Sequence, residues 1–254
     1  MKIAVSGKGG VGKTTIMALL AGALRKQGRE VLVIDADPSP HMAQTLGIGD
    51  PGTIKPIAEM GRLLAERAGK TEGSPFYNLN PEVNDLLRDF MLEQDGIRLM
   101  VLGAVQTAES GCACPENHVL RKMLKKMLLT AKEAVLVDME AGVEHLGRGT
   151  VAGADCLLIV VIPSKSGVRT ALKIKQMADQ VRIPQVFFVG NLVQSEEDRA
   201  FLRAELGEEP AAFFPDATAV RRTERAGQPV LAVQEGLEDA PQLLLKKILA
   251  ALES

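Results

Sequence analysis

A glycine-rich segment near the start of the chain carries residues suited to chemistry on a phosphate. It reads Gly7-Lys8-Gly9-Gly10-Val11-Gly12-Lys13-Thr14-Thr15, which has the spacing of a phosphate-binding loop. Glycines have no Cβ, so successive backbone N–H groups can curve around a polyphosphate. The Lys13 ammonium is expected to reach the β- and γ-phosphates, and the Thr14 hydroxyl to bind Mg²⁺. We therefore predict that these nine residues form a nucleotide-binding site.

The segments on either side of the loop have the patterns that such a site requires. The apolar run Ile3-Ala4-Val5 precedes it and predicts a strand, and a helical pattern from Ile16 to Gln27 follows it. The helix would direct the positive end of its dipole at the bound anion. A glycine-rich turn without a ligand is the alternative, and the strand–loop–helix context argues against it.

Two aspartates follow the second predicted strand, Glu30 to Ile34. The sequence Asp35-Ala36-Asp37-Pro38 lies at the carboxyl end of that strand, where open α/β sheets bind ligands. Two carboxylates beside a phosphate-binding loop suit Mg²⁺ and a hydrolytic water. A solvated turn is the alternative, since Asp and Pro are common in turns. The neighbouring phosphate loop favours the functional interpretation.

A third aspartate ends another predicted strand, Ala134 to Asp138, and matches a Walker B position. Asp138 is expected to hold Mg²⁺ through water, as such aspartates do in P-loop enzymes. The segment Met139-Glu140-Ala141-Gly142 follows it. Thr14, Asp37 and Asp138 are therefore the predicted magnesium residues.

Two cysteines, Cys112 and Cys114, lie in a predicted loop of residues 103–115. Thiolates suit zinc and other borderline or soft metal ions, and zinc takes four ligands in a tetrahedral site. One chain offers only two sulfurs, because Cys156 falls in an apolar strand pattern and is expected to be core. A twofold dimer would offer four. Two incidental thiols are the alternative, and His118 could be an extra ligand.

The residue after the first glycine connects the chain to a known family. With Lys8 in that place, the loop resembles that of the deviant Walker A ATPases, which include MinD, ParA, the Mrp scaffold proteins and the nitrogenase iron protein. The resemblance covers essentially the whole chain. It implies a Mg²⁺-dependent ATPase that converts ATP and water to ADP and phosphate. It also implies a homodimer, because this lysine crosses the family's dimer interface and touches the ATP bound by the partner subunit.

The resemblance assigns roles to residues outside the loop. Asp37 would belong to switch I and position the attacking water, and the Gly142 N–H in switch II would contact the γ-phosphate. Asn191 would read the adenine, and the segment with Pro215 and Asp216 would close over the base. The predicted catalytic residues are Lys8, Lys13 and Asp37.

The chain departs from the family pattern at His41 and Glu140. His41 stands where a smaller polar residue is expected, and Glu140 stands where proline is usual. Neither position inherits a role from the resemblance.

The cysteine pair separates members of the family. Iron–sulfur scaffold relatives carry a Cys-x-x-Cys pair near the C-terminus, and no cysteine follows Cys156 here. Cys-Ala-Cys at 112–114, with Asp-Met-Glu-Ala-Gly at 138–142, most resembles the accessory ATPases that insert nickel into carbon monoxide dehydrogenase. This implies a metallochaperone or maturation ATPase that dimerises around ATP and a thiolate-bound Ni²⁺ or Zn²⁺. Its client would be carbon monoxide dehydrogenase.

The alternation of strands and helices over 254 residues predicts an α/β fold. We expect a single doubly wound, mostly parallel sheet with helices on both faces. The other predicted strands are Ile97–Leu102, Cys156–Ile162 and Gln185–Val189; the other predicted helices are Ile54–Ala68, Val119–Ala131, Val168–Val181, Glu196–Leu206 and Leu237–Leu252. No repeat or long linker divides the chain, so residues 1–254 are expected to form one domain that includes the cysteine loop.

Charge and hydropathy limit the partners and the location. The net charge of −2 gives no sign of a nucleic-acid partner. The chain enters a strand within three residues, which leaves no room for a signal peptide, and no apolar run is long enough to span a membrane. We therefore expect a cytoplasmic protein without stable membrane anchoring.

Two other functions are kept open. A spatial organiser of the MinD or ParA type would bind a membrane or DNA, and this alternative rests on the segment Leu243–Leu249. A surface-seeking helix normally has a strongly cationic face and often an aromatic residue, whereas this segment has two lysines and no aromatic residue. An iron–sulfur carrier would be coloured after anaerobic reconstitution.

Overall fold

A single sheet of eight strands forms the centre of the computed structural model, which describes residues 1–37, 41–50, 53–69, 82–103, 119–120, 122–123, 125–126, 134–139, 154–231, 233–237 and 239–253. The strands are β1 (Lys2–Gly7), β2 (Val31–Ala36), β3 (Leu92–Gln94), β4 (Ile97–Val101), β5 (Ala134–Met139), β6 (Cys156–Val161), β7 (Gln185–Val193) and β8 (Ala212–Pro215). Their order is β3-β4-β2-β5-β1-β6-β7-β8. Of the strand pairs in the described ranges, only β3–β4 is antiparallel. The predicted mostly parallel, doubly wound sheet is confirmed.

The helices whose bounds the structure gives cover this sheet. They are α1 (Lys13–Lys26), α2 (Met42–Leu46), α3 (Gly61–Arg67), α4 (Asn84–Asp89), α5 (Lys165–Gln180), α6 (Glu196–Leu206), α7 (Thr218–Arg225) and α8 (Ala240–Leu252). Serine hydroxyls begin two of them: Ser164 accepts the Gly167 N–H at 3.0 Å, and Ser195 accepts the Asp198 N–H at 3.2 Å. Each hydroxyl satisfies one of the backbone donors that have no partner inside a helix.

Apolar clusters lie on both faces of the sheet, which explains why the central strands are apolar without alternation. On one face, Leu20 of α1 and Ile248 of α8 belong to the same buried cluster as Leu158 of β6. On the other face, Ile174 of α5 and Leu202 of α6 share a cluster with other strand side chains. Complete burial of one such side chain stabilises the fold by about 1.5–3 kcal/mol.

The predicted helix Ile54–Ala68 is wrong in its first half. The structure has a 3₁₀ turn at Ile57–Glu59, and the α-helix begins only at Gly61. The Ala58 N–H donates to the Leu102 carbonyl at 2.8 Å. This bond ties the segment to the end of β4, so the backbone donor is not available to an α-helix.

Five short elements are not among the predicted helices and strands, namely α2, α4, α7, β3 and β8. Each has eight residues or fewer, so hydrophobic periodicity has little length in which to show itself. The C-terminal helix begins at Ala240 and not at Leu237, with Asp239 in the left-handed region at φ 59°. Within the predicted helix Val119–Ala131, residues 119–120, 122–123 and 125–126 are helical, and the other positions lie outside the described residues.

No helix in the described ranges has both the length and the apolar character that a membrane crossing requires.

Candidate functional site

The glycine-rich loop joins β1 to α1, where predicted, at the centre of the sheet. β1 lies between β5 and β6, so polar residues at the carboxyl ends of neighbouring strands converge on the loop. Gly12 has a φ of 89°, and a Cβ at this position would lie 2.4 Å from Asn191 Nδ2. The position therefore requires glycine both for its backbone conformation and for the close approach of Asn191.

A cavity of about 600 Å³ lies over this loop. Its walls include seven of the residues predicted for nucleotide, magnesium or catalysis: Gly9, Gly10, Gly12, Lys13, Thr14, Thr15 and Asp37. Three residues without a predicted role, His41, Gln44 and Thr45, lie on the same wall. The backbone N–H groups of the loop, the start of α1 and the Lys13 ammonium together suit a polyphosphate.

Thr14 and Asp138 form the part of the site that suits a cation. The Thr14 hydroxyl donates to Asp138 Oδ2 at 2.6 Å. The second oxygen, Asp138 Oδ1, is buried and has no hydrogen-bond partner among the described residues. A hydroxyl beside a carboxylate with an unsatisfied oxygen fits Mg²⁺ held directly by Thr14 and through water by Asp138.

Burial changes the proton affinity of Asp138. It raises the pKa of this carboxyl to about 7, and the nearby charge of Asp35 adds to the rise, while the Thr14 hydrogen bond and the Lys13 charge oppose it. A divalent cation beside the group would favour the ionised form. The carboxyl is therefore poised to lose its proton when a cation is present.

Asp35 and Asp37, which end the same strand, have different environments. Asp37 lies on the cavity wall, whereas the side chain of Asp35 is fully buried. The Asp35 carboxylate accepts the Asp37 N–H at 3.2 Å and the Met42 N–H at 3.0 Å. Burial raises the pKa of Asp35 to about 6, and these two hydrogen bonds oppose the rise.

The residues assigned to the base come together in a second cavity of about 240 Å³ next to the loop. Asn191, Pro215 and Asp216 all line it. Asn191 donates its amide N–H to the Val11 carbonyl at 2.7 Å, which leaves the amide oxygen for a ligand. Asp216 accepts from Arg221 at 2.7 Å and from Gln194 at 3.2 Å through Oδ2. The second cavity is thus polar where a base edge would lie.

Lys8 takes a different direction from Lys13. Its Nζ donates to the Ser166 hydroxyl, at the start of α5, at 3.0 Å. Neither cavity, as far as the described residues define the walls, includes Lys8. The ammonium of Lys8 therefore belongs to the exposed rim of the loop.

Glu224 is a site residue that the sequence did not indicate. Its Oε1 accepts the Thr15 hydroxyl at 2.6 Å, across 209 positions of the chain, and its side chain lines both cavities. Glu224 belongs to α7, an element that was itself not predicted. The sequence offered no signal for this contact, since a lone glutamate in a basic segment has no motif around it.

Three predicted site residues, Gly142, Cys112 and Cys114, lie outside the described residues. Cys156 lies in β6 and is fully buried, as expected of a core cysteine, and burial raises the pKa of its thiol to about 12. In the part of the chain that the structure describes, no group of three or more His, Cys, Asp or Glu side chains is arranged to hold a metal ion. The cysteine-loop metal site therefore stays a prediction.

Comparison with known proteins gives a consistent result. The sequence profile of the CobQ/CobB/MinD/ParA nucleotide binding domain matches residues 2–230. The carbon monoxide dehydrogenase accessory protein CooC of Rhodospirillum rubrum is 37% identical over 254 residues, which cover 98% of this chain and 96% of that protein.

Solved structures share the fold. The MinD cell division protein of Aquifex aeolicus superimposes with a TM-score of 0.69 at 22% identity, covering 98% of this chain and 96% of that one. The septum site-determining protein MinD of Pyrococcus horikoshii, solved in complex with Mg-ADP, has a TM-score of 0.68 at 21% identity and covers 100% of this chain and 99% of that one.

Proposed function

Because this chain belongs to the CobQ/CobB/MinD/ParA family of nucleotide-binding proteins and is an ATPase, we propose that it couples ATP hydrolysis to nickel insertion into carbon monoxide dehydrogenase. In this proposal it is a cytoplasmic homodimer that closes around ATP and a thiolate-bound metal ion. The observation that carries the nucleotide part is the cavity over the glycine-rich loop, with Lys13, Thr14 and Asp37 on one wall.

The hydrolytic step needs little covalent chemistry from the protein. A water oxygen bonds to the γ-phosphorus, and the bond from that phosphorus to the β–γ bridging oxygen breaks to leave ADP and phosphate. Mg²⁺ would neutralise developing charge on the phosphate oxygens. Lys13 would supply a second cation, Thr14 and Asp138 would hold the metal ion, and Asp37 would orient the water. The Gly142 N–H would complete the γ-phosphate contacts.

The dimer part of the proposal is supported by the position of Lys8. Its ammonium is exposed, hydrogen-bonded to Ser166, and outside the described walls of its own nucleotide cavity. In the family that this chain resembles, the corresponding lysine serves the partner subunit's ATP. Exchange of the Ser166 hydroxyl for a phosphate oxygen would replace a neutral acceptor by an anionic one, so that both partners of the hydrogen bond would carry charge.

The metal part rests on Cys112 and Cys114 and on the similarity to CooC. The relative covers almost the whole chain, and its name associates it with carbon monoxide dehydrogenase. Two such cysteines in each protomer would give four thiolates around a twofold axis, which suits one Ni²⁺ or Zn²⁺ ion.

A spatial organiser of the MinD type is the second candidate, because MinD proteins share the fold. The C-terminal helix argues against membrane binding through its apolar face. Leu244, Leu245 and Ile248 of α8 are fully buried and belong to the cluster that contains α1. Leu243 is the large apolar side chain of this helix that is most exposed, at 56%. A helix that already packs its apolar face on the sheet has little exposed apolar surface left to bind a bilayer.

Metal binding and client activation provide the test. Purified protein without added metal is dialysed anaerobically against Ni²⁺, and the wild type is compared with Cys112→Ala/Cys114→Ala. The matched control is Cys156→Ala, which removes a thiol from the core. We expect one nickel per dimer in the wild type and the control and none in the double variant, with client activation lost in parallel. Equal nickel binding by all three proteins contradicts the metal site, and iron with sulfide in place of nickel supports the iron–sulfur carrier.

A further inference from the structure

Asp35 is a buried carboxylate beside the site, and it has no role in the hydrolytic step described above. It occupies β2 beside Asp138 of β5, its side chain is fully buried, and it lines neither cavity within the described walls. Burial of a carboxylate is costly unless hydrogen bonds compensate for the lost water. In Asp35 both oxygens are used, one by the Asp37 N–H and the other by the Met42 N–H.

These two hydrogen bonds connect Asp35 to Asp37 and to the start of α2. Asp37 directly follows the end of β2 at Ala36, and Met42 is the first residue of α2. His41, Gln44 and Thr45, which line the phosphate cavity, lie at the start of this helix or within it. One carboxylate therefore accepts a backbone N–H from the predicted water-positioning residue and another from the first residue of α2.

The backbone of Asp35 makes a second connection. Its carbonyl accepts the N–H groups of Leu102 at 2.8 Å and of Gly103 at 3.2 Å. These residues directly follow β4, and the chain continues from them towards the cysteine loop. Gly103 has a φ of 74°, and a Cβ there would lie 2.9 Å from Pro56. The end of β4 is therefore hydrogen-bonded to the backbone of Asp35 and lies close to Pro56.

We propose that Asp35 is a positioning residue, which holds Asp37 in place for hydrolysis and transmits occupancy of the phosphate cavity to the end of β4. The proposal rests on the ATPase function and extends it to a residue that does not touch the nucleotide. Asparagine at position 35 has almost the same shape but only one acceptor oxygen, so its NH₂ group must face one of the two backbone donors. The Asp37 backbone or α2 then shifts, while the cavity wall formed by the glycine loop is unchanged.

The kinetic test uses Asp35→Asn with Asp155→Asn as the matched control. Asp155 also accepts a backbone N–H, that of Lys2 at 2.8 Å, but it precedes β6, at the opposite end of the strands from the phosphate loop. For Asp35→Asn we expect kcat to fall roughly 10- to 100-fold and the Kd for ATP to change by less than about threefold. The control should keep both values.

A purely structural role would give a different result. Asp35→Asn would then lower the melting temperature as the control does, and kcat per folded molecule would equal that of the wild type. That result overturns the positioning role, and so does a loss of ATP affinity equal to the loss of kcat. The wild-type ATPase measured alongside tests the proposed function separately.

Hydrogen exchange tests the connection to β4, first in the wild type and then in Asp35→Asn. The amides of Leu102 and Gly103 in the wild type should exchange at least several-fold more slowly when a non-hydrolysable ATP analogue and Mg²⁺ are added. Asp35→Asn should bind the analogue and lose this change. Unchanged exchange in the wild type, or an equal change in Asp35→Asn, overturns the proposed connection.

Discussion

Asp35 and Asp138 lie directly opposite each other in the register of β2 and β5, and both side chains are buried. Both carboxyl oxygens of Asp35 accept backbone N–H groups, whereas Asp138 Oδ1 has no hydrogen-bond partner among the residues that the structure describes. This pair of opposite residues therefore supplies one carboxyl that is held by backbone hydrogen bonds, Asp35, and one that is available to bind a cation, Asp138. The charge of Asp35 also makes Asp138 harder to ionise, since it contributes to the raised pKa of Asp138.

Protein stability should fall as pH rises through the range between about 4 and 7. The unfolded carboxyls titrate near 3.8, whereas burial raises the folded pKa of Asp35 to about 6 and that of Asp138 to about 7. Within this window the folded state holds more protons than the unfolded state, so the free energy of unfolding decreases with pH. Asp138→Asn removes one of these groups, and its melting temperature should gain roughly 5 °C on that of the wild type between pH 5 and 8. Differential scanning calorimetry without nucleotide or Mg²⁺ checks this, and a constant difference would contradict it.

Lys13 and Asp37 should fail in different ways when each is replaced by alanine. Lys13→Ala removes the cation that faces the phosphates, so ATP binding and turnover should both be lost. Asp37→Ala should still bind ATP, because the loop and Lys13 are intact, but its kcat should fall by about 100-fold or more. Calorimetric titration and phosphate release separate the two effects. Normal turnover by Asp37→Ala would remove its catalytic role.

ATP should draw two protomers together through Lys8. Sedimentation of Asp37→Ala with ATP and Mg²⁺ should show a dimer, since hydrolysis no longer ends the closed state, and adding Lys8→Ala should weaken it about tenfold or more. Lys165→Ala is the matched control, because Lys165 is near Ser166 in sequence but pairs with Glu205 at 2.8 Å on the surface. A dimer equally stable with Lys8→Ala would refute a contact across the interface.

Metal and nucleotide should influence each other's affinity equally. If ATP binding changes how Cys112 and Cys114 of two protomers face each other, the factor by which ATP alters the Kd for nickel must equal the factor by which nickel alters the Kd for ATP. Both affinities can be titrated with a non-hydrolysable analogue in the Asp37→Ala variant. Nickel affinity should also decrease as pH falls, because thiols lose protons on ligation. If ATP and nickel bind independently, the nucleotide site and the cysteine site are not coupled.

The part of the site that could be predicted is the part whose residues form motifs within a few positions of the sequence. The glycine loop, Lys13, Thr14 and the strand-end aspartates are each recognisable within a few residues, and a parallel sheet brings strand ends to one edge. Which aspartate would be buried was not predictable, because that depends on the register of β2 against β4 and β5. Asn191, Pro215 and Asp216 came only from the family resemblance.

The contacts between residues that are far apart in the chain could not be predicted from the sequence. Lys8 meets Ser166 and Thr15 meets Glu224 over separations of 158 and 209 residues, and both depend on how α5 and α7 dock. Short helices take their position from tertiary packing more than from propensity. The sequence showed that Lys8 was unusual for its place, but it could not show what the side chain contacts within its own chain.

The hydrogen bond between Thr15 and Glu224 has a consequence for synthesis on the ribosome. The phosphate loop precedes seven of the eight described strands in the chain, yet its cavity is also lined by Glu224 of α7. At 5–20 residues per second, the 209 intervening positions take roughly 10–40 s to translate. Throughout that time the nascent chain contains the glycine loop but lacks Glu224, which accepts the Thr15 hydroxyl. It also lacks the residues of β8 and α7 that line the second cavity. The complete lining of the nucleotide cavity is therefore available only after α7 has been synthesised, when the residues of all eight described strands are already part of the chain.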